Sequence, residues 1–397
     1  MSFTRSNNKP MTKLAEKPKD LFLLNGISVF CFNKDYNKCA LSQKDSKIYI
    51  YKTPDIFKTS TWELEHTLDS HVLYVSCIDW NHKTNRILSC SFDKTAFVWE
   101  FSENKKKWIP SNIVINSKLK LGFLTCSWNE NGDRLALGTS GNQLFIGYFN
   151  DDPTAMWWNC MESKGSAKKG HNLHKSSVTT AKISPNSIYC ISGSTDLRII
   201  ITYIYLKENE YDKKYTPIKD KKFGDEIINH KVNSWVNSVC WTKDGKYALS
   251  ANQNATVTVI EVESKKVETL RFKHGPFNII VPSPNQNGFV GVGTDRNIYH
   301  YDFTGNLIGL ITKNDGNSLN RPNPGNTNTG ISMMRSSGIA EALKKLENAG
   351  IKKKESITIN TLINSNLHST LISSISFKGT DVITTDVAGF IKYWKFK

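Results

Sequence analysis

No two of the eight cysteines stand in a C-x-x-C pair, so zinc knuckles and thioredoxin-like redox sites have no support. No apolar run approaches the length of a membrane span, and the longest, near Ile199–Leu206, is broken by Thr202. The first nineteen residues are polar and basic and lack an apolar h-region, while Pro10 and Pro18 interrupt any transit helix. Residues 1–19 are therefore expected to be a disordered basic N-terminus, and the chain to be intracellular, with no membrane span. There is no P-loop, no H-E-x-x-H and no metal-ligand cluster. Gly291-Val292-Gly293 lacks the third glycine of a dinucleotide fingerprint and runs into Asp295, and no G-x-S-x-G elbow occurs. These absences predict a protein that is not an enzyme and has no catalytic, cofactor or metal residues.

The apolar fraction, 39%, suffices for a packed core, and the 11% of aromatics suits strands better than helices. The net charge of +16 raises nucleic acid, anionic lipid or an acidic partner. Much of it lies in Lys105–Lys107, Lys213–Lys222 and Lys352–Lys354, between strand-like runs, and reads as solvated loops. No basic stripe is interleaved with aromatics to stack bases, so nucleic-acid binding is not expected. Cys31, Cys77, Cys126 and Cys240 fall inside apolar runs and read as buried, reduced thiols.

The chain repeats itself. From His71 to Trp99 three short alternating runs, VSCIDW, RILSCS and AFVWEF, are split by turn residues. An aromatic ends the first run, and an acidic or amide turn residue follows about thirteen residues later: Trp80 to Asp93, Phe32 to Asp45, Trp241 to Asn254 and, one longer, Trp128 to Asn142. Six residues further on stand Trp99, Tyr51, Ile260 and Tyr148, and Asp196 and Asp295 begin the same step towards Thr202 and Tyr301. Seven such units fit, centred on 27–52, 71–101, 121–150, 174–206, 235–262, 277–303 and 370–396. Each would gain a fourth strand from its linker. A unit of this size cannot bury both faces alone, so the units must stack in a ring. The expected fold is all-β, a seven-bladed WD40 β-propeller over 20–397. The last unit ends on its third strand, so Leu21–Leu24 is expected to supply the fourth and close the ring.

His71, Ser89, Asp93 and Trp99 have the types and spacing of a buried hydrogen-bond chain. In it the carboxylate orients the imidazole, and the indole N–H closes through the hydroxyl. His174 with Asp196 is a second, partial copy. A Ser/His/Asp set is also the composition of a hydrolase, but here it follows the blade spacing.

Insertions break the frame at 151–173, 207–233 and 313–365, and specific function is expected there. The last opens with a flexible Asn/Pro/Gly-rich linker, and a short amphipathic helix is expected over about 338–349. Ile339, Leu343 and Leu346 recur on one helical face, Ser337 can cap it, Gly350 can stop it, and Glu341 and Lys345 sit four apart in the favourable order. Burying three aliphatic side chains yields roughly 5–9 kcal/mol gross. Ordering about twelve residues costs at least as much. Such an arm orients a contact without anchoring it alone, and folding back on the propeller wall is the other reading.

With these features the chain resembles the WD-repeat subunit of the actin-related protein 2/3 complex, subunit 1. SCIDWNHKTNRILSCSFDKTAFVW is similar to that family's second blade. The Trp157-Trp158 pair after GYF, ITYIYLKENE followed by FGDEI, SWVNSVCWTKDGKYALSANQNATV and LHSTLISSISF are similar to later segments. The resemblance extends over nearly the whole chain from Leu21. It implies a structural subunit that assembles with actin-related proteins and small helical subunits, contacts actin filaments and binds nucleation-promoting factors. It implies a place in the cytoplasm, on the actin cytoskeleton. It makes the insert, with Ile339, Leu343, Leu346, Lys344 and Lys345, the expected partner contact. Departures are the insert, where Gly338-Ile-Ala-Glu-Ala-Leu replaces a more charged motif with an aromatic, Ala388 at the last blade's turn carboxylate, and a weakly matched sixth unit. The alternative is a generic WD scaffold in another assembly, one in the nucleus included. A third reading is direct binding of nucleic acid or anionic lipid by the lysine loops.

Overall fold

The computed structural model describes residues 21–22, 26–56, 61–115, 119–149, 158–163, 173–207, 212–310, 370–378, 381–386 and 390–394. Residues 1–19, Leu23 and Leu24 of the expected closing strand, Ala388 and the whole 313–365 insert, where a helix is expected, lie outside them. Among the described residues there is no α-helix; the structure is built from short strands.

Blade one is β2 (Val29–Phe32), β3 (Lys38–Ser42), β4 (Lys47–Lys52) and β5 (Glu63–Asp69). Blade two is β6 (Val75–Trp80), β7 (Ile87–Ser91), β8 (Ala96–Ser102) and β9 (Lys107–Ile115), and blade three is β10 (Phe123–Trp128), β11 (Arg134–Thr139), β12 (Leu144–Phe149) and β13 (Trp158–Glu162). Blade four is β14 (Val178–Ile183), β15 (Tyr189–Ser194), β16 (Arg198–Tyr203) and β17 (Glu226–Lys231). Blade five is β18 (Val236–Trp241), β19 (Tyr247–Asn252), β20 (Thr256–Glu261) and β21 (Lys266–Arg271). Blade six is β22 (Phe277–Pro282), β23 (Gly288–Gly293), β24 (Ile298–Asp302) and β25 (Leu307–Leu310). Blade seven is β26 (Ile372–Lys378), β27 (Asp381–Asp386) and β28 (Phe390–Trp394), with β1 (Leu21–Phe22) paired antiparallel to β28 through Leu21↔Ile391 and Phe22↔Phe390.

The inner strands touch in the order β2, β6, β10, β14, β18, β22, β26 and back to β2, which makes a closed ring of seven blades. The core follows from that geometry. Seven hydrophobic clusters form, one at each junction between neighbouring blades. A blade therefore buries both faces, and the second strands β7, β11 and β23 are buried at every residue. Close approach demands small residues at such places. A Cβ on Gly193 would stand 2.3 Å from Val236 of the next blade, and one on Gly138 2.8 Å from Val178. The inner strands of blades two to seven share one bulge, between Val75 and Cys77, Phe123 and Thr125, and their counterparts. Such a bulge increases local twist and re-aims the side chains beside it.

Two of the three insertions carry a fourth strand of a blade, as expected of the linkers. Within 151–173, Trp158–Glu162 is the fourth strand of blade three. It pairs parallel with β9 of blade two, Asn159 against Val114 and Cys160 against Ile115, so the two blades form one eight-stranded sheet. Within 207–233, β17 completes blade four. The lysine-rich stretch before it packs on blade three through Asp212, Lys214 and Tyr215.

Candidate functional site

The polar chain of blade two has a definite direction. The Trp99 indole N–H donates to Ser89 Oγ at 2.8 Å, and Ser89 Oγ lies 2.8 Å from His71 Nε2. The other ring nitrogen, Nδ1, is 2.8 Å from Thr95 Oγ1, whose hydroxyl donates to Asp93 Oδ1 at 2.5 Å. One assignment satisfies every group: Nε2 accepts from Ser89, and Nδ1–H donates to Thr95. The expected direct contact of Asp93 with the imidazole is thus replaced by a relay. Asp93 Oδ2 stays 3.5 Å from Nδ1 because Thr95 occupies the shorter path. Sequence reasoning missed Thr95, which stands two residues after the turn carboxylate. Burial lowers the His71 pKa, with Asp93 opposing, so the ring is neutral at physiological pH. Ser89 is fully buried beneath Trp99, where no substrate reaches its hydroxyl, which removes the hydrolase reading.

Blade four repeats the motif with the relay deleted. His174 Nδ1 is 3.0 Å from Asp196 Oδ2 and Nε2 is 2.8 Å from Ser192 Oγ. Ser192, also missed, lies eighteen residues after His174, as Ser89 does after His71. Thr202 stands where Trp99 would, and its hydroxyl turns instead to the Cys190 carbonyl. Blade six carries a looser variant in which His274 Nε2 meets Tyr301 Oη at 2.5 Å and the ring stacks on Tyr299.

These carboxylates also face outwards. Asp93 Oδ2 accepts the backbone N–H of Val72 at 2.6 Å, and Asp196 Oδ2 that of Lys175 at 2.8 Å. The residue after each histidine is thereby pinned at the rim of one face, where the turns lead into the inner strands. Nine large hydrophobic residues are exposed among the described residues, and six of them, Val72, Leu73, Tyr74, Leu121, Trp235 and Leu371, stand in these turns. Val72 is 80% and Trp235 58% exposed. Exposed apolar residues that recur at equivalent turns of one face make that face the candidate interaction surface. Lys94, Lys120 and Lys175 are exposed beside it and form no ion pair among the described residues.

No group of three or more His, Cys, Asp or Glu among the described residues is placed to hold a metal, and no described helix is long and apolar enough to cross a membrane. Ile339, Leu343, Lys344, Lys345 and Leu346 lie outside the described residues.

Ring closure, radial cores and repeated polar chains define a WD40-type β-propeller. The WD domain, G-beta repeat model matches residues 62–100, 166–201 and 223–261, which include most of blades two and five and the inner strands of blade four. Over its length the chain is similar to actin-related protein 2/3 complex subunit 1A-A of Xenopus laevis, 24% identical over 389 residues that cover 95% of each chain. It is likewise similar to subunit 1A of that complex from Arabidopsis thaliana, 26% identical over 286 residues, 70% of this chain and 71% of the relative. Subunit 1 from Schizosaccharomyces pombe matches at 22% over 199 residues, half of each chain.

Proposed function

We propose that the chain is a non-catalytic structural subunit of an actin-related protein 2/3-type complex and contributes to actin filament nucleation and branching. The observation that carries this reading is the end-to-end correspondence with subunit 1, 95% of both chains, on a closed seven-bladed ring. A ring whose blade-two and blade-four imidazoles and serine hydroxyls are buried and hydrogen-bonded to one another offers surfaces rather than a reaction centre. Its partners in this reading are actin-related proteins, the small subunits, the actin filament and nucleation-promoting factors, and its place is the cytoplasmic actin cytoskeleton. The turns bearing Val72–Tyr74, Leu121 and Trp235 supply one contact surface. The 313–365 insert supplies another, with Ile339, Leu343 and Leu346 as apolar anchors and Lys344 and Lys345 beside them.

The test is affinity purification of the tagged full chain. Actin-related proteins are expected in the eluate, and their absence with the propeller folded overturns the reading. Recovery of an unrelated nuclear complex would support the alternative scaffold. Leu73→Asp with Trp235→Asp should leave the melting temperature nearly unchanged, since exposed sites move stability by about 0.5 kcal/mol or less. The same pair should reduce partner recovery. Unchanged recovery removes this face from the assembly.

A further inference from the structure

Four of the twelve prolines follow a hydroxyl residue, at Thr53-Pro54, Ser184-Pro185, Thr216-Pro217 and Ser283-Pro284. Three of those hydroxyl residues are buried. Thr53 and Ser184 are 1% exposed and Ser283 is 3% exposed. Thr53 Oγ1 donates to the Tyr36 carbonyl at 2.8 Å, and Ser184 Oγ accepts the Tyr189 N–H at 3.1 Å. Thr216 differs, since both it and Pro217 are exposed. It differs in sequence as well. Three residues on stands Lys219, also exposed, where the other three steps have Ile56, Ser187 and Gln286.

The fold presents this step as a loop between two fixed ends. Asp212 is held by Arg134 of blade three, and the Ile218 N–H donates to Tyr203 Oη on β16 at 2.9 Å. Residues 216–218 belong to no helix or strand, so the backbone there is open to an extended groove. Proline brings no N–H that an apolar pocket would leave unsatisfied. The Lys219 ammonium is free to pair with an anionic group on the enzyme. A hydroxyl, a proline next to it and a cation three places on are the features by which proline-directed protein kinases read a substrate. The surroundings also suit the product. The stretch 213–222 holds Lys213, Lys214, Lys219, Lys221 and Lys222 against one acid, Asp220. A phosphate of about −2 charge added there meets cations that can hydrogen-bond it.

We propose that Thr216 is a phosphoacceptor for a proline-directed protein kinase of the class that takes a basic residue three places on. Thr216 Oγ1 attacks the γ-phosphorus of ATP, and the bond from that phosphorus to the β–γ bridging oxygen breaks. ADP leaves, and the hydroxyl proton passes to a carboxylate base of the kinase and on to water. One threonine and one ATP give one phosphothreonine, one ADP and one proton. The modification puts a dianion on the loop that fastens blade four to blade three.

The experiment incubates the folded full chain with a purified cyclin-dependent kinase, magnesium and ATP, and follows it by intact mass and phosphopeptide mapping. One phosphoryl group is expected, on Thr216. Thr216→Val should take up none, and Ser283→Ala should match the parent. Lys219→Ala should slow incorporation by about tenfold, the loss of one charge-assisted contact. Thr216 and Lys219 are exposed, so both variants should unfold at the parent's melting temperature. No incorporation on the folded chain overturns the proposal, and phosphorylation of a synthetic peptide of residues 212–222 by the same enzyme would then assign the failure to a loop closed by the fold. First modification at Thr53, Ser184 or Ser283, or a Lys219→Ala rate equal to the parent's, overturns it as well.

Discussion

Arg134 at the start of β11 and Asp212, seventy-eight residues later, form an ion pair in the interior, with side chains 2% and 0% exposed. Arg134 Nη1 also donates to the carbonyls of Ser187 at 3.0 Å and Ile204 at 2.8 Å, and Asp212 Oδ2 accepts the Leu206 N–H at 2.5 Å. The pair thus fastens the segment between β16 and β17 of blade four to blade three. Lys214 with Asp133, and Asn131 with the Tyr215 hydroxyl, extend the same seam outwards.

Removing one charge of a buried pair strands the other. Asp212→Ala should therefore cost about 3–5 kcal/mol. The paired replacement Arg134→Met with Asp212→Leu should cost clearly less, because no ion is left uncompensated. Denaturant midpoints of the three proteins check this. Equal losses in the single and double variants would show that packing, not charge, holds the seam.

Ser89 holds two buried partners, the Trp99 indole and His71, whereas Ser192 holds only His174 among side chains. An orphaned buried donor or acceptor costs about 1–3 kcal/mol. Ser89→Ala should lower stability by about 2–3 kcal/mol, and Ser192→Ala by about half that. Thr95→Val should fall near the smaller value, since it breaks the relay from His71 Nδ1 to Asp93 while keeping the shape. Thermal unfolding of the three variants under one buffer decides the order.

The blade spacing was legible because it is local. The thirteen- and six-residue steps record two hairpins of constant length, which place Trp80 at the end of β6, Asp93 in the β7–β8 turn and Trp99 on β8 of one blade. Ser192 could have been found by carrying the His71-to-Ser89 interval to His174. Thr95 could not, since a threonine after a turn carboxylate is an ordinary β residue until the imidazole is seen above it. The Arg134–Asp212 seam was illegible for a different reason. Asp212 lies in a stretch of lysines that reads as solvated, and its partner belongs to another blade. The β9–β13 pairing was hidden likewise, since a parallel contact between outer strands leaves no short-range signature.

Stability should fall as solution becomes mildly acidic. Burial depresses the pKa of His71, His274 and His300 in the folded chain, with Asp93, Asp295 and Asp302 respectively opposing. The unfolded chain then binds more protons than the native one below the ordinary histidine value of about 6.5. The contribution is fully present above that value and is lost as pH falls through it towards the folded pKa values. A second loss follows near pH 4 and below, where Asp93 and Asp196, held low by hydrogen bonds and histidine charge against burial, take up protons. Melting temperatures should be flat from pH 8 to 7 and drop between pH 6.5 and 5. A flat profile down to pH 5 contradicts the burial account of these histidines.

Among the described residues, β1 contributes Leu21 and Phe22 to the closure of the ring, paired with Ile391 and Phe390, and covers an edge that β28 would otherwise present to solvent. Truncating residues 1–25 removes that cover. At about 1 kcal/mol per backbone bond the direct loss is about 2 kcal/mol. That is enough to lower the melting temperature by several degrees. The exposed edge should also promote association between copies, because unpaired N–H and C=O groups on a free strand template pairing with another chain. Scattering of the truncated protein should therefore show concentration-dependent dimers absent from the full chain. An unchanged melting temperature together with a monomeric truncated chain would mean that the blade-seven hairpin β27–β28, held by the Ile383 and Ile391 contacts to blade one, closes the ring without its fourth strand.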